Sequence, residues 1–532
     1  KLRILYSTRF TFSDEGLPLV TVEIMGAQRE AKLRAKGGIT VRPDGAGGAA
    51  VEADGGDAWT ITAENTKPAV INEWTVVETL SPDDTAGITQ AVARWKDRGF
   101  DPRSFEIGTV FGVDGEVIDT RETRIAIDPQ PAGKGAARAT ELAKRFGVQA
   151  SVHQELVRRP SGTIVATSGA TVIRNPSVLW FAPKRTGETL GVADVPTNTG
   201  GSQLDTGKED RRYWGEVYVT LDHAGALTAA NAVGEDKLLA GLVPAEMYPD
   251  SPAAALEAQA IAARTELLQK IGRRNLTDPF LLCSSQQCQV YAGAGKEDPR
   301  ATRAIEATRG IVVLRDGGGL VDVRYSASCG GHTEDNDAIW GGDPDPSLRG
   351  RFDRPGEAGP RSGAEGRRGA SIDGPEDNAS RADADSLIAS DDRDAWCARP
   401  KRGKAAFRWT ERATIGDLSA RVAAEYPGVG RIASLTPGAR GSSGRMRSIV
   451  IEGDRGRAEV TGDVHIRRLL GGLKSTLFTV ARDGDAFVFH GAGFGHGVGM
   501  CQMGAIGMAG AGKSHAQILA HYYRGTHLHR LY

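Results

Sequence analysis

"LVPAEMYPDSPAAALEAQAIAARTELL", Leu242 to Leu268, sets one acidic side chain, Glu246, in an apolar run and then enters an alanine-rich helix through a proline-bounded turn. Asp250 or Ser251 can cap that helix, and Pro252 suits its first turn, where the missing N–H has no helical partner to lose. Leu256, Ala260, Ala263, Leu267 and Ile271 recur at spacings of 4, 3, 4 and 4, one apolar stripe at helical period. Arg264 falls near the edge of the stripe, where a partly desolvated guanidinium needs a carboxylate or another polar ligand. Glu246 stands just upstream of the expected helix start. Walled by Leu242, Val243, Met247 and Tyr248, its carboxyl is expected to keep its proton more readily than a solvated one, as a general acid must. An exposed loop glutamate, or a partner for the helix terminus, is the plainer reading of the same residues.

Outward from this helix the chain reads as multidomain α+β, and its 532 residues suffice for about three or four domains. Residues 1–72 alternate short apolar runs with Gly/Asp turns and are expected to form a small β-rich domain. Residues 73–180 read βαββαβ, a ferredoxin-like order: "WTVVETL", helical "ITQAVARWKDRGF", "SFEIGTVF", "TRIAID", helical "GAARATELAKRFG", and "ASVHQELV" with "TIVATSG". A connector at 181–211 leads to a catalytic region in two parts, 212–342 and 405–532. Between them, residues 343–404 are rich in Gly, Asp, Arg and Ser and poor in aliphatic side chains, as expected of a surface insertion that cannot order itself fully.

Lys and Arg number 66 against 67 Asp and Glu, a formal net charge of -1. No global field draws the chain to nucleic acid or anionic lipid, and a neutral polymer is the more natural partner. No apolar run is long enough to span a membrane. The chain begins at Lys1, consistent with a secreted protein whose signal peptide has been removed or with a trimmed chain.

Five cysteines are too few for a disulfide-built fold and leave at least one unpaired within the chain. In "LLCSSQQCQVY", Cys283 and Cys288 read as a local disulfide, as half a zinc site helped by Cys329 or His332, or as plain thiols; Cys329 and Cys397 are the further disulfide candidates. No metal or other cofactor is expected, because the intervening Ser284, Ser285, Gln286 and Gln287 offer no thiolate or imidazole ligand.

Two glycine-rich stretches have the make-up of a ligand surface. "YSASCGGHTED", Tyr325 to Asp335, sets small residues beside His332 and Thr333; "HGAGFGHGVGMCQMGAIGMA", His490 to Ala509, embeds His496 and Gln502 among seven glycines. Small residues let a sugar approach the backbone while polar ones fix its hydroxyls. Either stretch could equally be a tight turn packed on the core. "GMAGAGKS", Gly507 to Ser514, satisfies the phosphate-loop pattern, but the residues after it are too few for the βα sheet that such a loop requires.

"LVPAEMYPDSPAAALEAQAIAARTELL", "CQVYAG", "YSASCGGHTED" and "GAGFGHGVGMCQMGAIGMA" through "HYYRGT" together resemble the SpoIID/LytB family of cell-wall proteins, which includes sporulation lytic transglycosylases and amidase enhancers. The likeness runs from Tyr213 to the C terminus, interrupted by the charged insertion. It implies a SpoIID-like catalytic domain in which Glu246 is the acid/base and Arg264 its companion. It also implies a glycan cleft lined by Gln289, Tyr291, Tyr325, Ser328, Gly330, Gly331, His332, Thr333, His496, Gly497 and Gln502. Zinc-binding members carry a histidine between the two cysteines, where this chain has Gln287. Residues 73–180 are similar in length and order to SPOR domains, which bind cell-wall glycan. The expected partners are therefore peptidoglycan glycan strands and a cell-wall amidase, in the cell envelope, periplasmic or extracellular. The expected activity is lytic transglycosylation; a non-catalytic amidase enhancer and a hydrolytic muramidase are the rivals.

Overall fold

A computed structural model of the chain describes residues 5–6, 11–12, 16–43, 49–53, 58–113, 116–197, 207–284, 291–356, 384–390 and 394–532. They form two compact units. The first comprises residues 1–249, 267–310 and 531–532, the second residues 250–266 and 311–530. The chain is mixed α and β throughout, and no helix among the described residues is long and apolar enough to cross a membrane.

In the first unit, the strands of residues 1–72 do not close on themselves. Pro18–Gln28 pairs with Leu227–Gly234, and Ile39–Pro43 with Leu179–Pro183, inside an eight-stranded sheet. Ala31–Arg34 and Trp59–Lys67 join a six-stranded sheet with Ser161–Ser168, Leu190–Pro196 and Lys208–Tyr213. The expected small domain at 1–72 and connector at 181–211 are thereby corrected. Both belong to one body: some strands of residues 1–72 pair with one another, but the sheets are completed by strands from far along the chain, as a buried face with an unpaired edge requires.

The interruption between these strands has a sheet of its own. Val70–Leu80, Thr85–Asp97, Arg103–Ile107, Glu122–Pro131, Gly135–Phe146 and Ser151–Arg158 run strand, helix, strand, strand, helix, strand, with a hairpin Val110–Val113/Glu116–Asp119 added. The four main strands are all antiparallel, in the order fourth, first, third, second. Val77, Ala91, Trp95, Ile125, Ile127 and Leu142 form their core. The segment ends at Arg158, not near 180: Ser161–Ser168 already belongs to the six-stranded sheet.

In the second unit, Arg408–Thr414, Ala486–Ala492 and Phe478–Asp483 make one small sheet, and Ile432–Pro437, Ser448–Gly453 and Arg457–Thr461 another. The helices Ile415–Glu425 and Asp463–Leu469 share a core with them through Leu418, Val422, Ile449, Ile466 and Phe489. The ends of the expected 343–404 insertion are integral to this unit, since Leu348, Asp353, Trp396 and Cys397 are buried; residues 357–383 and 391–393 lie outside the described set. The phosphate-loop pattern is spent on helices. Gln502–Gly510 runs through its first half, and Ser514 caps His515–Tyr522 in a reciprocal box with Gln517.

Candidate functional site

Glu246 is the last residue of the helix Glu235–Glu246, so it ends a helix of its own and does not simply precede one. It is half-buried. Leu242, Val243 and Met247 are buried as expected, while Tyr248 is 46% exposed. Pro244 lies in the last turn, so Glu246 closes the C-terminal end of the helix. The same helix packs closely at Gly241, where a Cβ would stand 2.7 Å from Gly293 O and 2.8 Å from Tyr291 Cε2. Tyr291 is 1% exposed, and its hydroxyl donates to Asn231 Oδ1 at 2.9 Å. As an expected cleft residue it is corrected: it holds the helix's neighbours in place and shows no face to a ligand. Gln289 and Cys288 lie outside the described residues.

Ala253–Lys270 is the long helix that the opening sequence predicts. The stripe Leu256, Ala260, Ala263, Leu267, Ile271 is buried, but so are Ala258, Gln259, Ile261, Ala262 and Leu268, so the helix is covered all round. Arg264 is consequently fully buried rather than at an edge, and its Nη1 donates to Ile311 O at 3.1 Å. Gln502, 6% exposed, donates to Gln259 Oε1 at 3.2 Å. Both side chains tie the helix to the rest of the second unit.

The two glycine-rich stretches meet. Tyr325–Ser326 pairs in parallel with Met500–Cys501, and Ser328 exchanges backbone hydrogen bonds with Phe494 at 3.1 and 2.8 Å. Gly330 has φ +76°, and a Cβ there would lie 2.7 Å from Gly493 N, so only glycine lets the loops touch. Arg445, fully buried, threads both: it donates to Cys329 O at 2.8 Å, His332 O at 3.2 Å and Ser443 Oγ at 2.9 Å. Glu334, also fully buried, accepts from Ser442 Oγ at 2.8 Å and Ser443 Oγ at 2.6 Å. Ser328, His332 and Thr333 are buried too, with Thr333 bonded to the backbone of Arg351 and His332 set edge-on to Phe352. These three, Gly330 and Gly331 build the floor rather than a surface of polar contacts.

What the floor presents is aromatic. His496 is half-buried, its ring 5.0 Å from that of Trp340, which is 51% exposed with the Arg324 guanidinium 5.2 Å from its ring. Phe494 is 44% exposed and Tyr325 half-buried. Burial pushes His496 down to about 4; Asp463 opposes this, and the Arg324, Arg445 and Arg467 charges reinforce it. The ring is neutral at pH 7, and because Nδ1 accepts from Val498 N at 3.0 Å, Nε2 carries the proton. Trp340, Arg445 and Glu334 were not singled out from sequence. Trp340 stands five residues beyond "HTED", and that proximity was the available signal.

Cys283 is disulfide-bonded. Cys329, Cys397 and Cys501 carry free thiols. The disulfide expected of Cys329 and Cys397 is thus corrected: their sulfurs lie 3.6 Å apart, against about 2.05 Å for a bonded pair.

Residues 223–314, which hold Glu246 and Arg264, match the family described as Stage II sporulation protein. Residues 334–499 match a family described as a domain of unknown function. The chain is 26% identical over 314 residues to an uncharacterised protein of Brachyspira hyodysenteriae, covering 59% of this chain and 71% of that one. It is 29% identical over 309 residues to the amidase enhancer of Bacillus subtilis, covering 54% of this chain and 40% of the enhancer. With stage II sporulation protein D of Bacillus amyloliquefaciens it shares 25% identity over 327 residues, 58% of this chain and 77% of the relative.

Proposed function

The chain carries a region of the SpoIID/LytB family, and on that premise we propose a lytic transglycosylase that cleaves peptidoglycan glycan strands, with Glu246 as its general acid and base. The observation that carries this reading is the position of Glu246, half-buried at the C-terminal end of its helix and inside the region that matches the family. As the neutral acid it donates a proton, and as the carboxylate it accepts one. Glu246 protonates the glycosidic oxygen between N-acetylmuramic acid and N-acetylglucosamine. The resulting carboxylate then takes the proton from the muramic C6 hydroxyl as that oxygen attacks C1 and closes the anhydro ring. One carboxylate suffices because the nucleophile belongs to the substrate; the paired carboxyls of ordinary glycosidases are not required.

Arg264, buried and bonded to backbone, acts as a positioning residue for its helix. Trp340 and His496 offer a flat apolar face with an N–H donor beside it, which suits a sugar ring. The βαββαβ segment Val70–Arg158 serves as a SPOR-like holder of stripped glycan, and the protein works in the cell envelope, outside the cytoplasm.

A second reading, a non-catalytic glycan binder that stimulates an amidase, is favoured by the likeness to the amidase enhancer. Mass spectrometry of the products from purified glycan strands decides among the readings. Anhydro-muramic ends support the transglycosylase, new reducing ends point to a muramidase, and intact strands with retained binding support the enhancer.

A further inference from the structure

We infer that Cys329, Cys397, Cys501 and Asp353 form a closed, four-ligand site for a single zinc ion that staples the second unit together. The three sulfurs and one carboxylate oxygen all lie within 4.8 Å of one another. Exposure is 0% at Cys329, Cys397 and Asp353 and 1% at Cys501.

The spacing is that of one tetrahedral ion. Zinc–sulfur bonds of about 2.3 Å and a zinc–oxygen bond of about 2.1 Å give ligand–ligand edges of roughly 3.5 to 3.8 Å. The Cys329 and Cys397 sulfurs stand 3.6 Å apart, and Cys329 Sγ stands 3.3 Å from Asp353 Oδ2.

The groups around the four ligands are arranged as outer partners. Cys501 Sγ accepts backbone N–H bonds from Cys329 at 3.1 Å and Gly504 at 3.3 Å, donors that stabilise a thiolate. Asp353 turns Oδ2 to the sulfurs, while Oδ1 accepts from Tyr522 Oη at 2.8 Å and faces His521 Nε2 at 3.4 Å. This is how a ligating carboxylate is held in orientation. A fully buried carboxylate among three thiols needs positive charge close by, and a divalent ion supplies it. Three thiolates with one oxygen select zinc over magnesium or calcium, and four protein ligands leave no open position for a reactive water, so the ion is structural.

The ligands come from separate pieces of chain. Cys329 lies in the first glycine-rich stretch and Cys501 in the second, while Asp353 and Cys397 flank the charged stretch 357–383. The ion would join all four, independently of whether the chain cleaves glycan, and it is separate from disulfide-bonded Cys283.

The test uses the full 532-residue chain, expressed with zinc supplementation and measured by elemental analysis and by cobalt replacement. We expect one zinc per chain, retained in the Cys283→Ser, Cys288→Ser double variant and lost in Cys397→Ser and Cys501→Ser. Cobalt should give the intense visible bands of tetrahedral thiolate coordination. Should the cysteine variants fail to fold, Tyr522→Phe decides. It removes only an outer partner of Asp353 and should weaken zinc binding about 10- to 100-fold in a folded protein. A folded wild-type chain that neither retains zinc nor yields cobalt–thiolate bands overturns the inference. So does peptide mapping that finds Cys329 disulfide-linked to Cys397, or zinc that disappears with the Cys283 and Cys288 substitutions.

Discussion

Gly497 and Arg445 are made for each other: a Cβ at position 497 would stand 2.3 Å from Arg445 Cζ, at a backbone φ of +79°. The guanidinium fills the place of a side chain and from there holds the carbonyls of Cys329 and His332. Gly497→Ala should therefore destabilise the chain by about 1–3 kcal/mol through overlap and left-handed strain. Urea unfolding of the variant checks this; unchanged stability would mean that Arg445 moves aside at no cost.

Glu246→Gln should keep the fold and glycan binding and lose cleavage by about 10²- to 10⁴-fold, because an amide neither donates nor accepts the reacting proton. Release of anhydro-muramic products from purified strands is the measurement. Turnover close to wild type would move the chemistry to another group.

Arg264→Lys is expected to lower stability together with activity. The sequence alone pointed to a larger effect on activity, but the side chain is fully buried and bonded to Ile311 O. Lysine keeps the charge and loses the planar fork. Denaturation midpoints compared with turnover will separate the two effects, and an unaltered midpoint with depressed activity would restore the original expectation.

Stability should rise with pH between about 4 and about 6.5. His496 is pushed down to about 4 in the folded chain, against about 6.5 when unfolded, so in that window the unfolded state binds more protons. The contribution is complete above the unfolded value and is lost as pH falls through the folded one. His153, pushed down to about 4 by burial and the Arg124 charge, acts in the same direction. His496→Asn should thus flatten the profile only in part. Unfolding free energies at a series of pH values give the slope, and an identical slope in the variant would mean that His496 is protonated in the fold.

The segment Val70–Arg158, produced alone, should fold around Trp95 and pellet with peptide-stripped glycan. Added salt should weaken this only modestly, since the ligand is nearly neutral. Co-sedimentation that fails, or that moderate salt abolishes, would leave the segment as a spacer.

Local pattern was enough to read the long helix at Ala253–Lys270 and the strand–helix order of residues 70–158, and to set aside the phosphate-loop reading of "GMAGAGKS", because periodicity, caps and turn residues act over a few neighbours. The motifs around Glu246 and Arg264 were legible for the same reason: they lie in one continuous stretch. Pairing between distant segments was not. Nothing within residues 1–72 announces that Pro18–Gln28 will find Leu227–Gly234, since an edge strand accepts whichever partner the rest of the chain delivers. Burial likewise belongs to the tertiary level. It removed Tyr291, His332 and Thr333 from the expected cleft, drew Asp353 and Cys397 out of an apparently unstructured insertion, and set them beside Cys329 and Cys501. Sequence determined which side chains were present and which short elements they favour; only packing, where each apolar face must find cover and each buried polar group a partner, decided which of them meet.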